Sequence, residues 1–177
     1  MRLHRRSSLL LVATAVLALA GAGTAAHCGV IFSSFGPGDS YRSGVGWTVA
    51  TNNQFAGTQA AAVYFDVPLA LDYTLDRIEV AAFGASDPCS LTVQLMSSSS
   101  GLPGNVLESF ALPLDNSQPS GIFAFTSALR PTLTAGDRYW VAMVASDQSW
   151  GAWNQSVADT RDMGFSFDGG ATCLRRC

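Results

Sequence analysis

Apolar residues in this chain recur at every second position, in short runs. From Ser90 to Met96, Leu91, Val93 and Leu95 fall on one side of an extended backbone, and Thr92, Gln94 and Met96 fall on the other. Arg77-Ile78-Glu79-Val80 and Tyr64-Phe65-Asp66-Val67 alternate in the same way. A period of two is what a half-buried antiparallel strand requires. On this basis strands are expected over 29–34, 45–50, 59–67, 73–83, 90–97, 105–112, 121–127, 138–146, 149–154 and 163–168. Between them stand Gly36-Pro37-Gly38-Asp39, Asp87-Pro88, Gly101-Leu102-Pro103-Gly104-Asn105, Gln118-Pro119-Ser120-Gly121, Ala135-Gly136-Asp137 and Asp168-Gly169-Gly170. Such clusters set turn angles or stop strand pairing. Strand after strand without a helical crossover predicts an all-β fold, an antiparallel two-sheet β-sandwich of jelly-roll type.

The N-terminus departs from this pattern. A basic stretch (Met1–Arg6) precedes an apolar run from Leu9 to Ala20, and small residues follow from Gly21 to Ala26. That order is the layout of a secretory signal peptide, 1–26, with cleavage expected after Ala25 or Ala26. A spanning helix needs about 20 apolar residues, and this run reaches Gly and Thr first. The next residues, 27–177, then form a single domain with no membrane span, expected to be secreted or held in the cell envelope. His27 directly precedes Cys28, where lipid attachment would require a small residue.

Processing changes the charge. The whole chain carries ten basic and thirteen acidic residues. Loss of Arg2, Arg5 and Arg6 leaves seven basic against thirteen acidic, a net charge of −6, with no lysine. An acidic surface repels phosphate backbones, so nucleic acid is not an expected partner. Cys28, Cys89, Cys173 and Cys177 remain after cleavage, an even number in an oxidising compartment, which predicts two disulfides. Three pairings are possible. The Cys173-x-x-x-Cys177 spacing also occurs in zinc sites, but the further ligands are scattered, so no metal is expected.

Candidate chemistry is sparse. Of two histidines, His4 leaves with the signal, and His27 alone cannot build a Ser-His-Asp triad or a multi-histidine metal site. No cofactor is expected. The two glutamates, Glu79 and Glu108, are the candidate catalytic pair of a β-sandwich glycoside hydrolase. That chemistry needs two carboxylates about 5 Å or about 6.5–9.5 Å apart across a cleft. The competing expectation is that both are solvated acids on strand faces. Asp39, Asp66, Asp72, Asp76 and Asp168 stand near turns and offer oxygens to calcium, although no compact Asp-x-Asp-x-Asp loop exists. Asn154-Gln155-Ser156 fits a glycosylation sequon. Trp150 and Trp153 flank Gly151 and Ala152, and small neighbours leave rings open for a sugar to stack on. Trp47 and Trp140 are expected in the core, and adjacent Tyr139 and Trp140 point to opposite faces of their strand.

Several segments together resemble the choice-of-anchor R domain of exported bacterial proteins. They begin with Ser34-Phe35-Gly36-Pro37-Gly38-Asp39-Ser40-Tyr41, Gly46-Trp47-Thr48-Val49 and Tyr73-Thr74-Leu75-Asp76-Arg77-Ile78-Glu79. Val93–Ser97, Gly101–Gly104 with Val106–Phe110, Leu133–Val141, Trp150–Asn154 and Phe165–Thr172 continue them in order. The resemblance implies an extracellular β-sandwich and brings no enzymatic activity with it. Members often carry a C-terminal sorting signal, whereas Leu174-Arg175-Arg176-Cys177 contains none, so free secretion is the simpler expectation here. The function expected is a non-catalytic structural, adhesive or carbohydrate-contacting role, with extracellular polysaccharide or other surface proteins as partners.

Overall fold

The computed structural model describes residues 30–146, 148–156, 163–167 and 174–175. The expected signal peptide, His27, Asp168 and the cysteines Cys28, Cys173 and Cys177 lie outside them. The described chain is all β, and every strand pairing is antiparallel. In chain order the strands are β1 (Tyr41–Asn53), β2 (Gly57–Asp66), β3 (Tyr73–Thr74), β4 (Arg77–Gly84), β5 (Cys89–Ser99) and β6 (Leu102–Leu114). They continue as β7 (Gly121–Thr126), β8 (Thr132–Leu133), β9 (Arg138–Ala145), β10 (Trp150–Ser156), β11 (Met163–Ser166) and β12 (Leu174–Arg175).

Most of these match the alternating runs, and the exceptions have local causes. Residues 30–35 form no strand, yet Ile31 and Phe32 still pack on the core, and Phe32 stacks on Phe65 at 5.7 Å. The run over 73–83 splits because Leu75 and Asp76 turn to the segment after β7. The Leu75 N–H donates to Pro131 O, and Asp76 O accepts from Ser127 N–H. The turn expected around Gly101–Asn105 is tighter than the sequence suggested. Ser100 and Gly101 both have positive φ (52° and 79°), and Ser99 already pairs with Leu102. Two positive-φ residues between paired neighbours make a two-residue hairpin of the kind whose twist matches the strands. The Leu102-Pro103-Gly104 segment therefore continues as strand.

One large sheet runs β6-β5-β9-β2-β1-β10-β4-β7, with β11 and β12 branching from β2, while β3 and β8 form a small separate pair. The branch explains its curl. One edge of β2 pairs with β1 at Gly57 and Gln59, and then with β11 from Ala60 to Val63. The other edge pairs with β9 over Ala61–Asp66. The chain thus leaves one arm, β1-β10-β4-β7, and enters another, β6-β5-β9-β2-β11-β12.

Both arms supply one apolar core. Val49, Val80 and Trp153 from the first arm cluster with Val63, Phe65, Leu91, Val93, Leu95 and Met143 from the second. Each such side chain contributes about 1.5–3 kcal/mol when fully buried. Period-two burial is explicit in β5, where Leu91, Val93 and Leu95 are buried and Ser90, Thr92 and Gln94 are not. In β9 both faces are covered: Tyr139 belongs to the main core and Trp140 to a smaller cluster with Ala62 and Ala142.

The two end strands of the large sheet also meet. Phe110 of β6 lies 5.5 Å from Phe125 of β7, ring to ring.

Candidate binding face

The glutamates take different roles. Glu79 alternates with buried Ile78 and Val80, so it faces away from the core, and it pairs with Arg77 at 2.9 Å. Glu108 was expected to be solvated. Instead it shares the inward parity of Phe110, Leu112 and Leu114 and is buried. Its Oε2 accepts from the Ser127 hydroxyl at 2.5 Å, and its Oε1 accepts from the N–H groups of Ala128 (2.7 Å) and Leu129 (3.1 Å). Burial pushes this carboxyl up, but the Ser127 hydroxyl and the Leu129 and Ala128 amides outweigh it, and the group is held below the ordinary glutamate value. Glu108 therefore fastens edge strand β6 to the segment that follows β7. The two carboxylates face opposite sides of their strands and do not line a common cleft.

Three of the turn aspartates are similarly occupied. Asp66 takes a bidentate pair from Arg138 (2.7 and 3.0 Å), whose guanidinium lies 3.9 Å over the Tyr64 ring. Asp72 accepts from Ala135 N–H, and Asp76 pairs with Arg130. Among the described residues, no three of His, Cys, Asp and Glu gather as metal ligands.

Cys89 is a free, buried thiol whose Sγ lies 3.2 Å from Trp150 O. Desolvation raises its pKa, with hydrogen bonding to Ser86 and Ala85 acting the other way. Asn154 of the sequon is also buried, and its Nδ2 donates to Arg42 O at 2.9 Å. In the folded chain that nitrogen is buried against the carbonyls of Arg42 and Val45, out of reach of a glycosylating enzyme.

Cross-strand register separates the two candidate tryptophans. Trp153 opposes Trp47 on one side and Ala82 on the other, and all three face the core. Buried Trp153 presents no face to a ligand. Trp150, three residues earlier, has the opposite parity. It opposes Ala50, which in turn opposes Gln59. The neighbouring row on the same side is Thr48, Ala152 and Phe83. Directly opposed residues share a face, so Trp150 and Phe83 stand on the outward side of β10 and β4. Both rings are half-buried, neither packs against the main core, and small residues lie between them.

The backbone beneath this face is well tied. Trp150 N–H donates to Ser86 Oγ at 3.0 Å, and Trp150 O accepts from Ala85 N–H at 3.0 Å. A Cβ on Gly151 would lie 2.6 Å from Phe83 O and 3.1 Å from Leu91, so glycine permits the close approach that seats β10. Phe83 was not singled out from the sequence. Its parity, out of phase with Val80 and Ala82, carried the signal.

No protein-family model matches the chain, and no curated protein matches it.

Proposed function

We propose that the mature chain is a non-catalytic β-sandwich protein, secreted or held in the cell envelope, that makes structural, adhesive or carbohydrate contacts. In this reading the two arms of the curled sheet are the two layers of the sandwich. Support comes from their common core and from the approach of β6 to β7. The resemblance to the choice-of-anchor R domain points the same way.

The observation that carries the functional reading is the outward pair Trp150 and Phe83 above Thr48, Ala50 and Ala152. Ala50 and Ala152 are themselves buried, so the exposed parts of the two rings are the apolar surface on which a sugar ring or a partner's side chain can rest. The engagement of Glu79 by Arg77 and of Glu108 by the segment after β7 favours binding over hydrolysis.

A glycan array combined with pull-down on cell-surface polymer tests this reading. Binding is expected, and Trp150→Ala reduces it by about tenfold, the loss of roughly one aromatic contact. No binding to either would remove the carbohydrate version.

A further inference from the structure

The hairpin joining β1 to β2 extends the same side of the molecule. Phe55 stands at its tip, 79% exposed. An exposed phenyl ring on a floppy loop would have little recognition value, but this tip is held firmly. Asn53 Oδ1 accepts from the N–H groups of Phe55 (2.9 Å) and Ala56 (3.1 Å), and its Nδ2 donates to Gln148 O at 3.2 Å. Gln59 Nε2 donates to Ala56 O at 2.8 Å, and Asn52 N–H donates to Thr58 Oγ1 at 3.0 Å. A tip ordered before binding loses little conformational entropy when a ligand arrives.

The tip is continuous with the outward face. Gln59, which holds Ala56, opposes Ala50, and Ala50 opposes Trp150. Gln148, which Asn53 holds, lies two residues before Trp150. Charge marks the surface more sharply than shape. From Ser43 to Phe65 the chain contains no Asp, Glu, Lys, Arg or His, and the same holds from Gln148 to Ser156. On the outward parity of β4 the charged residues are Arg77 and Glu79, which pair with each other at 2.9 Å. These stretches expose the Phe55 ring, the Val45 side chain and the amides of Asn52, Gln54 and Gln148, with the Trp150 ring half-buried. An anionic polymer would meet no cation within the two stretches, and the Arg77 guanidinium on the outward side of β4 is already paired with Glu79. A lipid surface would meet one exposed ring and, within these stretches, no basic residue. A neutral sugar chain meets what it requires: planes for its C–H faces and amides for its hydroxyls.

We propose that Phe55 and Trp150 mark two contact points for one strand of a neutral polysaccharide, laid along the outward face from β10 to the β1–β2 tip. This rests on the carbohydrate version of the proposed function and adds the ligand class and the second contact.

Binding of the mature protein to soluble β-glucan, galactomannan and arabinoxylan, with polygalacturonate as the anionic counterpart, tests it by affinity electrophoresis and calorimetry. At least one neutral polymer binds, polygalacturonate does not, and Phe55→Ala and Trp150→Ala each weaken binding about five- to tenfold. Because Phe55 is exposed, its variant should melt with the wild type, so lost binding cannot be lost folding. If Trp150→Ala weakens binding and Phe55→Ala does not, the two-point inference is wrong and the proposed function stands. Equal binding of polygalacturonate overturns the ligand class. If no polymer of either kind binds, the carbohydrate reading itself fails and takes this inference with it.

Discussion

The seam between β6 and β7 and the outward face of β10 and β4 both combine aromatic rings with polar groups, and they are built in opposite ways. At the seam everything is matched. Phe110 meets Phe125, and the Glu108 carboxylate has three donors from the segment 127–129. Ser127 is itself committed, since its hydroxyl oxygen accepts from Arg130 N–H while its hydrogen goes to Glu108. On the outward face the backbone is fully tied, but Trp150 and Phe83 lie outside the core clusters. Matched groups hold the fold together. Rings on a rigid backbone and outside the core are what a binding face needs.

The sharpest way to break this comparison is to exchange rings for alanine within one strand. Trp153→Ala removes a ring from the core and should cost about 3–5 kcal/mol. Trp150→Ala, on the other face of β10, should cost about 1–2 kcal/mol for partial burial and show its main effect on binding. Urea unfolding of the two variants measures the difference. Equal losses would mean that Trp150 is also a core element.

A smaller effect is expected at the seam. Glu108→Ala leaves the Ser127 hydroxyl and two amide groups without their acceptor, a loss of about 2–3 kcal/mol. The same carboxylate should sense acid. Its pKa is lowered in the folded chain, so its contribution is fully present above the unfolded glutamate value of about 4.3 and is lost as pH falls through the lower folded value. Protonation also disrupts the directed chain. Oε1 already accepts two N–H groups, and a proton on Oε2 competes with the Ser127 hydrogen pointing at it. Thermal unfolding followed from about pH 6 to pH 2.5 should fall less steeply for Glu108→Gln than for wild type over that window. Parallel curves would show that Glu108 does not govern the acid limit.

Much of the fold was legible as parity. Alternation in Ser90–Met96 and in Arg77–Val80 marked the buried residues of β5 and β4 correctly, because side chains on a pleated strand have nowhere to go but the two faces. The same rule, applied to Trp150 and Trp153, would have separated them from the start, since a spacing of three puts residues on opposite faces of a strand. Phe83 was open to the same reasoning. Glu108 was not misread for lack of alternation, because Phe110, Leu112 and Leu114 set its inward parity. An inward glutamate is costly unless donors await it, and those donors sit in a segment that only folding brings near.

The sequence by itself determined that the domain is all β, where most strands lie and which faces they bury, because period-two patterning and turn residues act locally. Tertiary structure alone decided how β2 divides its edges, how β6 comes to meet β7, that Glu108 fastens this seam, and that Trp150, Gln59 and the Phe55 tip share one side. Those features depend on contacts between residues far apart in the chain, and the pattern along a strand carries no information about which distant strand becomes its neighbour.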